Sequence, residues 1–190
     1  MRLKKVLLLG DSIRISYEPA VRALLEQRAT VVGPLENCQF SLYTLSALAR
    51  WLTELGNPDV VHWNNGIHDV GHNPNRRPIQ MPLDVYVGNI GLILKQLRAT
   101  GARIIWATMT PTHPYRPFLA DQWSWRNEEI DRYNAAVLPL MQQEGVPVDD
   151  LHAVVSENCD LLLSEDQLHL SEQGIQRCAQ AVVSSIEPYL

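Results

Sequence analysis

Gly10-Asp11-Ser12 and Asp166-Gln167-Leu168-His169, near opposite ends of a 190-residue chain, are the residues whose types and spacing could do chemistry. A serine hydroxyl is a weak nucleophile until a base takes its proton. An imidazole base in turn works best beside an acceptor that holds its tautomer and stabilises its cation. Ser12, His169 and Asp166 supply those three chemical types. Ser12 follows the apolar run Val6-Leu7-Leu8-Leu9 and precedes Ile13, Ile15, Val21, Leu24 and Leu25, which recur at helical spacing. It therefore sits on a strand-to-helix turn, where ligands of open α/β sheets bind and where the first amides of a helix favour negative charge. Asp11 and Ser12 are equally good helix caps, so the tripeptide by itself carries both readings.

The elements that must position these groups read as alternating strands and helices. Four large apolar residues bounded by Gly10 are long enough for a strand and, lacking polar alternation, suit one covered on both faces. Ala29 to Pro34 reads as a second strand. A helix follows with Leu42, Leu45, Leu48, Leu52 and Leu55 on one face. Asp59 to Asn64 is a third strand, and Gly71 to Pro82 an exposed loop beside the site. Leu83, Val87, Ile90, Leu94 and Leu97 mark a helix ending at Gly101, and Arg103 to Met109 a fourth strand. Tyr115, Phe118, Trp123 and Trp125 lie in a proline-containing segment, Thr110 to Arg126, read as a lid or pocket wall. Ile130, Tyr133, Asn134, Val137 and Met141 give a further helix. Gly145 to Val148 is a short edge strand, and Ser171 to Ile186 a closing helix with Ile175, Cys178, Ala179 and Val182 inward. The pattern predicts an α/β/α sandwich with a parallel sheet, in a single domain over 1–190.

Composition narrows the function classes. With 46% hydrophobic and 19% charged residues there is enough apolar material for a substantial core. A formal net charge of −5 offers no footprint for a nucleic-acid backbone or an anionic membrane, and neither partner is expected. No stretch approaches the ~20 apolar residues that span a bilayer, and the basic N-terminus runs into Gly-Asp-Ser with no cleavage site of a leader. Cys38, Cys159 and Cys178 are an odd count without metal spacing, which points to reduced thiols and a cytoplasmic protein. His62, His72, His113 and His152 form no ligand pattern, so no metal is expected, and no Gly-x-Gly-x-x-Gly follows the first strand to hold a dinucleotide.

With Gly10-Asp11-Ser12 directly after the first strand and Asp166-x-x-His169 close to the end, the chain resembles the SGNH hydrolase superfamily, the GDSL esterases and lipases, over essentially its whole length. The resemblance implies a five-stranded sheet of order 2-1-3-4-5. It implies Ser12 as nucleophile, His169 as general base and Asp166 as its orienting partner, with no cofactor. It also implies an oxyanion hole built from the nucleophile's amide, the amide of a glycine and the side chain of an asparagine in Gly-x-Asn-Asp. Here the chain departs from the pattern. Gln39 stands in the glycine position, and Gly66-Ile67-His68-Asp69 carries His68 in the asparagine position, with Asn65 as a substitute donor and Asp69 bracing the turn. A neutral imidazole has one N–H to give, and a backbone amide donates from any residue that holds the required dihedrals. The expected activity is hydrolysis of a small acyl ester, acetyl above all, of a carbohydrate or other small alcohol. A lipase or thioesterase for longer acyl chains, and a binding protein that has lost catalysis, are the alternatives.

Overall fold

The computed structural model describes residues 2–75, 79–119 and 121–190. Five parallel strands form one sheet: β1 (Lys4–Leu9), β2 (Ala29–Val32), β3 (Val60–Trp63), β4 (Arg103–Ala107) and β5 (Val148–Asp149), in the order β2-β1-β3-β4-β5. In β1 Val6, Leu7, Leu8 and Leu9 are all fully buried. The pleat sends Val6 and Leu8 into one core and Leu7 and Leu9 into the other. This double burial is why the run lacks polar alternation. Each such side chain contributes about 1.5–3 kcal/mol relative to exposure.

One face is covered by α1 (Ser12–Leu25), the short α6 (Leu151–Ser156) and α7 (Cys159–Leu162), and α8 (Glu172–Ile186), and the other by α2 (Ser41–Leu55), α4 (Leu83–Ala99) and α5 (Asn127–Gln143). A single-turn helix α3 (Ile67–Val70) follows β3. Ile130, Tyr133, Asn134, Val137 and Met141 of α5 are buried as the spacing predicts. The inward stripe of α2 is rotated: Ser41, Thr44, Ala47, Leu48 and Trp51 are buried, while Leu42 is exposed. In α1, Tyr17 shares the buried face with Ile13, Val21 and Leu25, leaving Ile15 and Leu24 exposed. Leucine spacing misled in both helices because small or amphipathic residues, Thr44 and Tyr17 among them, take the tight positions. The fourth strand stops at Ala107, and the edge strand begins only at Val148. Within the loop expected from Gly71 to Pro82, Arg76, Arg77 and Pro78 lie outside the described residues.

All three cysteines are free, with Cys38 and Cys178 buried. Among the described residues no helix is long and apolar enough to cross a membrane.

The last helix fixes the segment that precedes it. Ser171 caps α8 by accepting from the Gly174 N–H at 3.1 Å, and its own hydroxyl donates to the Leu161 carbonyl at 2.6 Å. A Cβ on Gly174 would sit 2.0 Å from the Leu162 carbonyl oxygen, a backbone atom that cannot swing away. Gly174→Ala should therefore cost about 1–3 kcal/mol as the helix is forced off its seat. A urea melt checks it, and an unchanged midpoint would contradict the packing described.

Candidate active site

Asp11 resolves the two readings of the first motif by doing the capping itself. Its Oδ1 accepts the Ile13 N–H at 2.9 Å, which leaves the Ser12 hydroxyl free. Ser12 is the first residue of α1, so its N–H has no intrahelical acceptor. The Asp11 carboxylate is completely buried, and among the described residues Oδ2 has no partner. Burial raises its pKa even though His68, the Ile13 N–H, Arg14 and His169 all pull it down.

His169 and Asp166 arrive on one tight turn. The Leu163–Leu170 bridge and the Ser164 N–H to His169 carbonyl bond (2.8 Å) close the turn at its base, and Gln167 takes a positive φ of 73° at its crest. Asp166 Oδ2 lies 2.6 Å from His169 Nδ1, and His169 Nε2 lies 2.9 Å from Ser12 Oγ across 157 residues of sequence. An ionised carboxylate only accepts, so Nδ1 carries the proton and Nε2 is free to accept from the serine. Partial burial pushes Asp166 up. The His169 N–H and ring, the Leu168 N–H and the Ser164 hydroxyl outweigh it and hold the carboxyl well below the usual range. The structure thus brings together Ser12, His169 and Asp166 in the connectivity that lets an imidazole deprotonate a hydroxyl.

The oxyanion side differs in detail from the sequence-based expectation. Gln39 does adopt the conformation glycine takes cheaply, with φ of 52°. Its N–H is occupied, donating to Asn37 Oδ1 at 2.7 Å, and must exchange that acceptor before it can serve an oxyanion. Asn65 is not a substitute donor. Its amide hydrogens go to the Gln39 carbonyl (3.1 Å) and Thr44 Oγ1 (3.0 Å), and its Oδ1 accepts from Trp63 Nε1 at 2.7 Å. It holds the Gln39 peptide in place instead. His68 lines the same cavity as Ser12 and His169. Burial lowers its pKa, with Asp11 pulling it up and His169 pushing it further down, so the neutral ring with a single N–H is favoured.

The turn carrying His68 is clamped from three sides. Gly66 precedes it at a φ of 137°, where a Cβ would strike Met109 and Tyr86. Tyr86 donates to the Asn65 carbonyl at 2.9 Å, and Trp125 Nε1 to the Ile67 carbonyl at 2.6 Å. Asp69, fully buried, accepts from the Ser41 N–H (2.9 Å) and hydroxyl (2.5 Å), and Asn89 donates to that hydroxyl at 3.0 Å. The aromatic segment contributes part of the cavity wall. His72 and Ser124 exchange backbone bonds of 2.9 and 3.1 Å, and Gln167 Nε2 donates to the Pro117 carbonyl at 2.9 Å. Tyr115 is exposed, whereas Trp123 and Trp125 face Ser12 across a cavity of about 350 Å³.

The roles of Asn37, Ser41 and Tyr86 were not read from the sequence. Only Asn37 left a local signal, since an asparagine commonly bonds the amide two residues on. His62, His72, His113 and His152 lie beside Asp149, Glu129, Asp160 and Asp131 at 2.6–3.1 Å, away from the nucleophile. Among the described residues no three His, Cys, Asp or Glu side chains are grouped to hold a metal.

Fold and site together define a class: α/β/α ester hydrolases that carry a serine, a histidine and a carboxylate on turns at one edge of a parallel sheet. The chain belongs to the GDSL-like lipase/acylhydrolase family, whose profile matches residues 8–177, and it is a carboxylic ester hydrolase acting on a small-molecule substrate. Among solved structures it is similar to an acetyl xylan esterase, AlAXEase, at 19% identity over 96% of this chain and 99% of that one, with a TM-score of 0.78. It is similar to a lipase/acylhydrolase from Enterococcus faecalis at 18% identity, over 98% and 96% of the two chains, with a TM-score of 0.76. A family 3 carbohydrate esterase from Clostridium thermocellum matches at 20% identity over 99% and 98%, with a TM-score of 0.71. A search of curated proteins returns no match.

Burial pushes the Asp69 carboxyl up to about 7, against the pull of the Ser41 donors. An acid whose folded pKa exceeds its unfolded value of ~3.9 contributes stability that is complete below that value and lost as pH rises through the folded one. Asp69→Asn does not titrate. Its stability relative to the parent should improve as pH rises from about 4 to about 8. Thermal melts of both proteins across that range check this, and a constant difference would contradict it.

Proposed function

We propose that this chain is a metal-independent serine esterase, with Ser12 as nucleophile, His169 as general base and Asp166 as the group that orients it, all within one domain over 1–190. The carrying observation is the unbroken series Asp166 Oδ2, His169 Nδ1, His169 Nε2, Ser12 Oγ at 2.6 and 2.9 Å. Ser12 Oγ passes its proton to His169 Nε2 and attacks the ester carbonyl. The tetrahedral oxyanion takes hydrogen bonds from the Ser12 amide, the His68 imidazole and the Gln39 amide once Asn37 releases it. Collapse expels the alcohol, which collects the proton from His169, and water activated by the same imidazole then frees the acid and regenerates Ser12. Three free cysteines favour a reducing, cytoplasmic setting for this enzyme.

The small-acyl reading, acetyl on a carbohydrate or other small alcohol, draws support from the printed names of the acetyl xylan esterase and the carbohydrate esterase. A second reading, a larger acyl group as in a lipase or thioesterase, has its own support in the size and apolar lining of the cavity at Ser12.

Ser12→Ala and His169→Ala should each abolish nearly all turnover of p-nitrophenyl acetate. The double variant should be hardly worse than either, because residues acting as a unit are non-additive, and Asp166→Asn should be less damaging. A fluorophosphonate should label Ser12 in the parent. Failure to label, with no turnover of acetyl to octanoyl esters, would favour a binding protein of the same fold.

If His68 supplies the side-chain donor, His68→Ala should lower kcat by about 10²- to 10³-fold with little change in KM. His68→Asn, which restores a carboxamide N–H, should recover part of the loss. Steady-state kinetics on one acetyl ester checks this, and a near-parental kcat in His68→Ala would assign the hole to backbone amides alone.

A further inference from the structure

Among the described residues the cavity at Ser12 is lined by Ile13, Ile67, Leu168, Trp123 and Trp125, with polar side chains from Ser12, His68 and His169. Its volume is about 350 Å³. A water molecule takes up about 30 Å³ of liquid, so the space holds on the order of ten non-hydrogen atoms, and an acetyl methyl would fill about one such place. A sugar ring brings hydroxyls that lose water on entry and need new partners. Among the described residues the polar side chains lining the cavity are those assigned to the chemistry, which leaves an apolar acyl group well matched.

The two ends of the cavity differ. His169 must return its proton to the departing alcohol, and its side chain is 42% exposed, so the alcohol lies toward solvent. Ile13 and Ile67 are 2% and 3% exposed and form the inner lining, where the acyl group runs. One wall is flat and fixed. Trp123 stacks on Trp125 with ring centroids 6.0 Å apart and planes 23° apart, and Trp125 is tied to the Ile67 carbonyl. Both rings close on Gly71, where a Cβ would lie 2.9 Å from Trp123 and 3.0 Å from Trp125 Nε1. Such a wall loses little freedom on binding and offers its largest contact to a flat, compact group.

We propose that the Trp123–Trp125 wall is the specificity determinant of this esterase, and that it selects an apolar aromatic acyl group the size of phenylacetyl over acetyl. This rests on Ser12 being the nucleophile. The acid released is then an arylalkanoic acid.

The test is kcat/KM for p-nitrophenyl esters of acetate, phenylacetate and octanoate, which share one leaving group. Phenylacetyl should exceed acetyl by about 10- to 100-fold, the range that burying a few apolar carbons in a pocket provides, and should exceed octanoyl. Trp123→Ala should collapse the phenylacetyl-to-acetyl ratio by about tenfold or more, and Trp123→Phe should restore most of it. Gly71→Ala, which displaces the wall from outside the cavity, should lower the same ratio. Phenylacetate should inhibit the unaltered enzyme competitively at concentrations where acetate does not, a measurement that needs no variant. Acetyl preferred in the parent, or a ratio unmoved by both Trp123→Ala and Gly71→Ala, would overturn the proposal while leaving the serine mechanism standing. Absence of fluorophosphonate labelling at Ser12 would instead overturn the mechanism, and the acyl assignment with it.

Discussion

A parallel sheet delivers the carboxyl ends of all its strands to one edge, and the reactive groups of this protein depend on that constraint. Ser12 follows β1, Gln39 lies on the connection after β2, and His68 follows β3, so three chain segments far apart in sequence meet above one edge. Central β1 is paired on both sides and its last four residues are buried, which gives the serine a firm support. His169 is the exception. It comes from no strand end and reaches Ser12 only because β5, α6 and α7 bring the chain back to that edge.

The oxyanion side shows how a sequence can leave a familiar pattern and keep its geometry. Gln39 holds a left-handed backbone that costs a non-glycine residue about 1 kcal/mol or more. Its carbonyl is held by Asn65, its N–H by Asn37, and the next peptide but one by Asp69 through Ser41. Three polar contacts thus maintain what a glycine would adopt unaided. The buried Asp69 that anchors this arrangement carries a desolvation cost that the two Ser41 donors offset in part.

Much of the fold was legible because each element had one dominant cause. The apolar run of β1 and the three- and four-residue spacing of α5 admit few other readings, and the sheet order followed from resemblance. Where two causes compete, spacing failed: Leu42 looks like core by type, yet Thr44 and Trp51 claim the inward face because one accepts from Asn65 and the other donates to Glu36. The same limit applies to the site. Asp166 and His169 are three residues apart and their partnership is local, whereas Ser41 and Asp69 are 28 apart and nothing in either neighbourhood announces the other. Asn65 was misread for that reason, since its partners Gln39 and Thr44 lie on another element.

The turn that carries Asp166 and His169 has a kinetic meaning as well. Its internal bonds are short-range, and among the described residues its hydrogen bonds to the rest of the molecule are the His169–Ser12 contact, the His113 N–H to the Gln167 carbonyl at 3.0 Å, and Gln167 Nε2 to Pro117, with Leu168 packed into the core. Such a segment is a small cooperative unit that opens at a fraction of the global unfolding free energy. Ser12 instead follows a strand that is paired on both sides. Ser12 and His169 are thus held by parts of the molecule with different local stability.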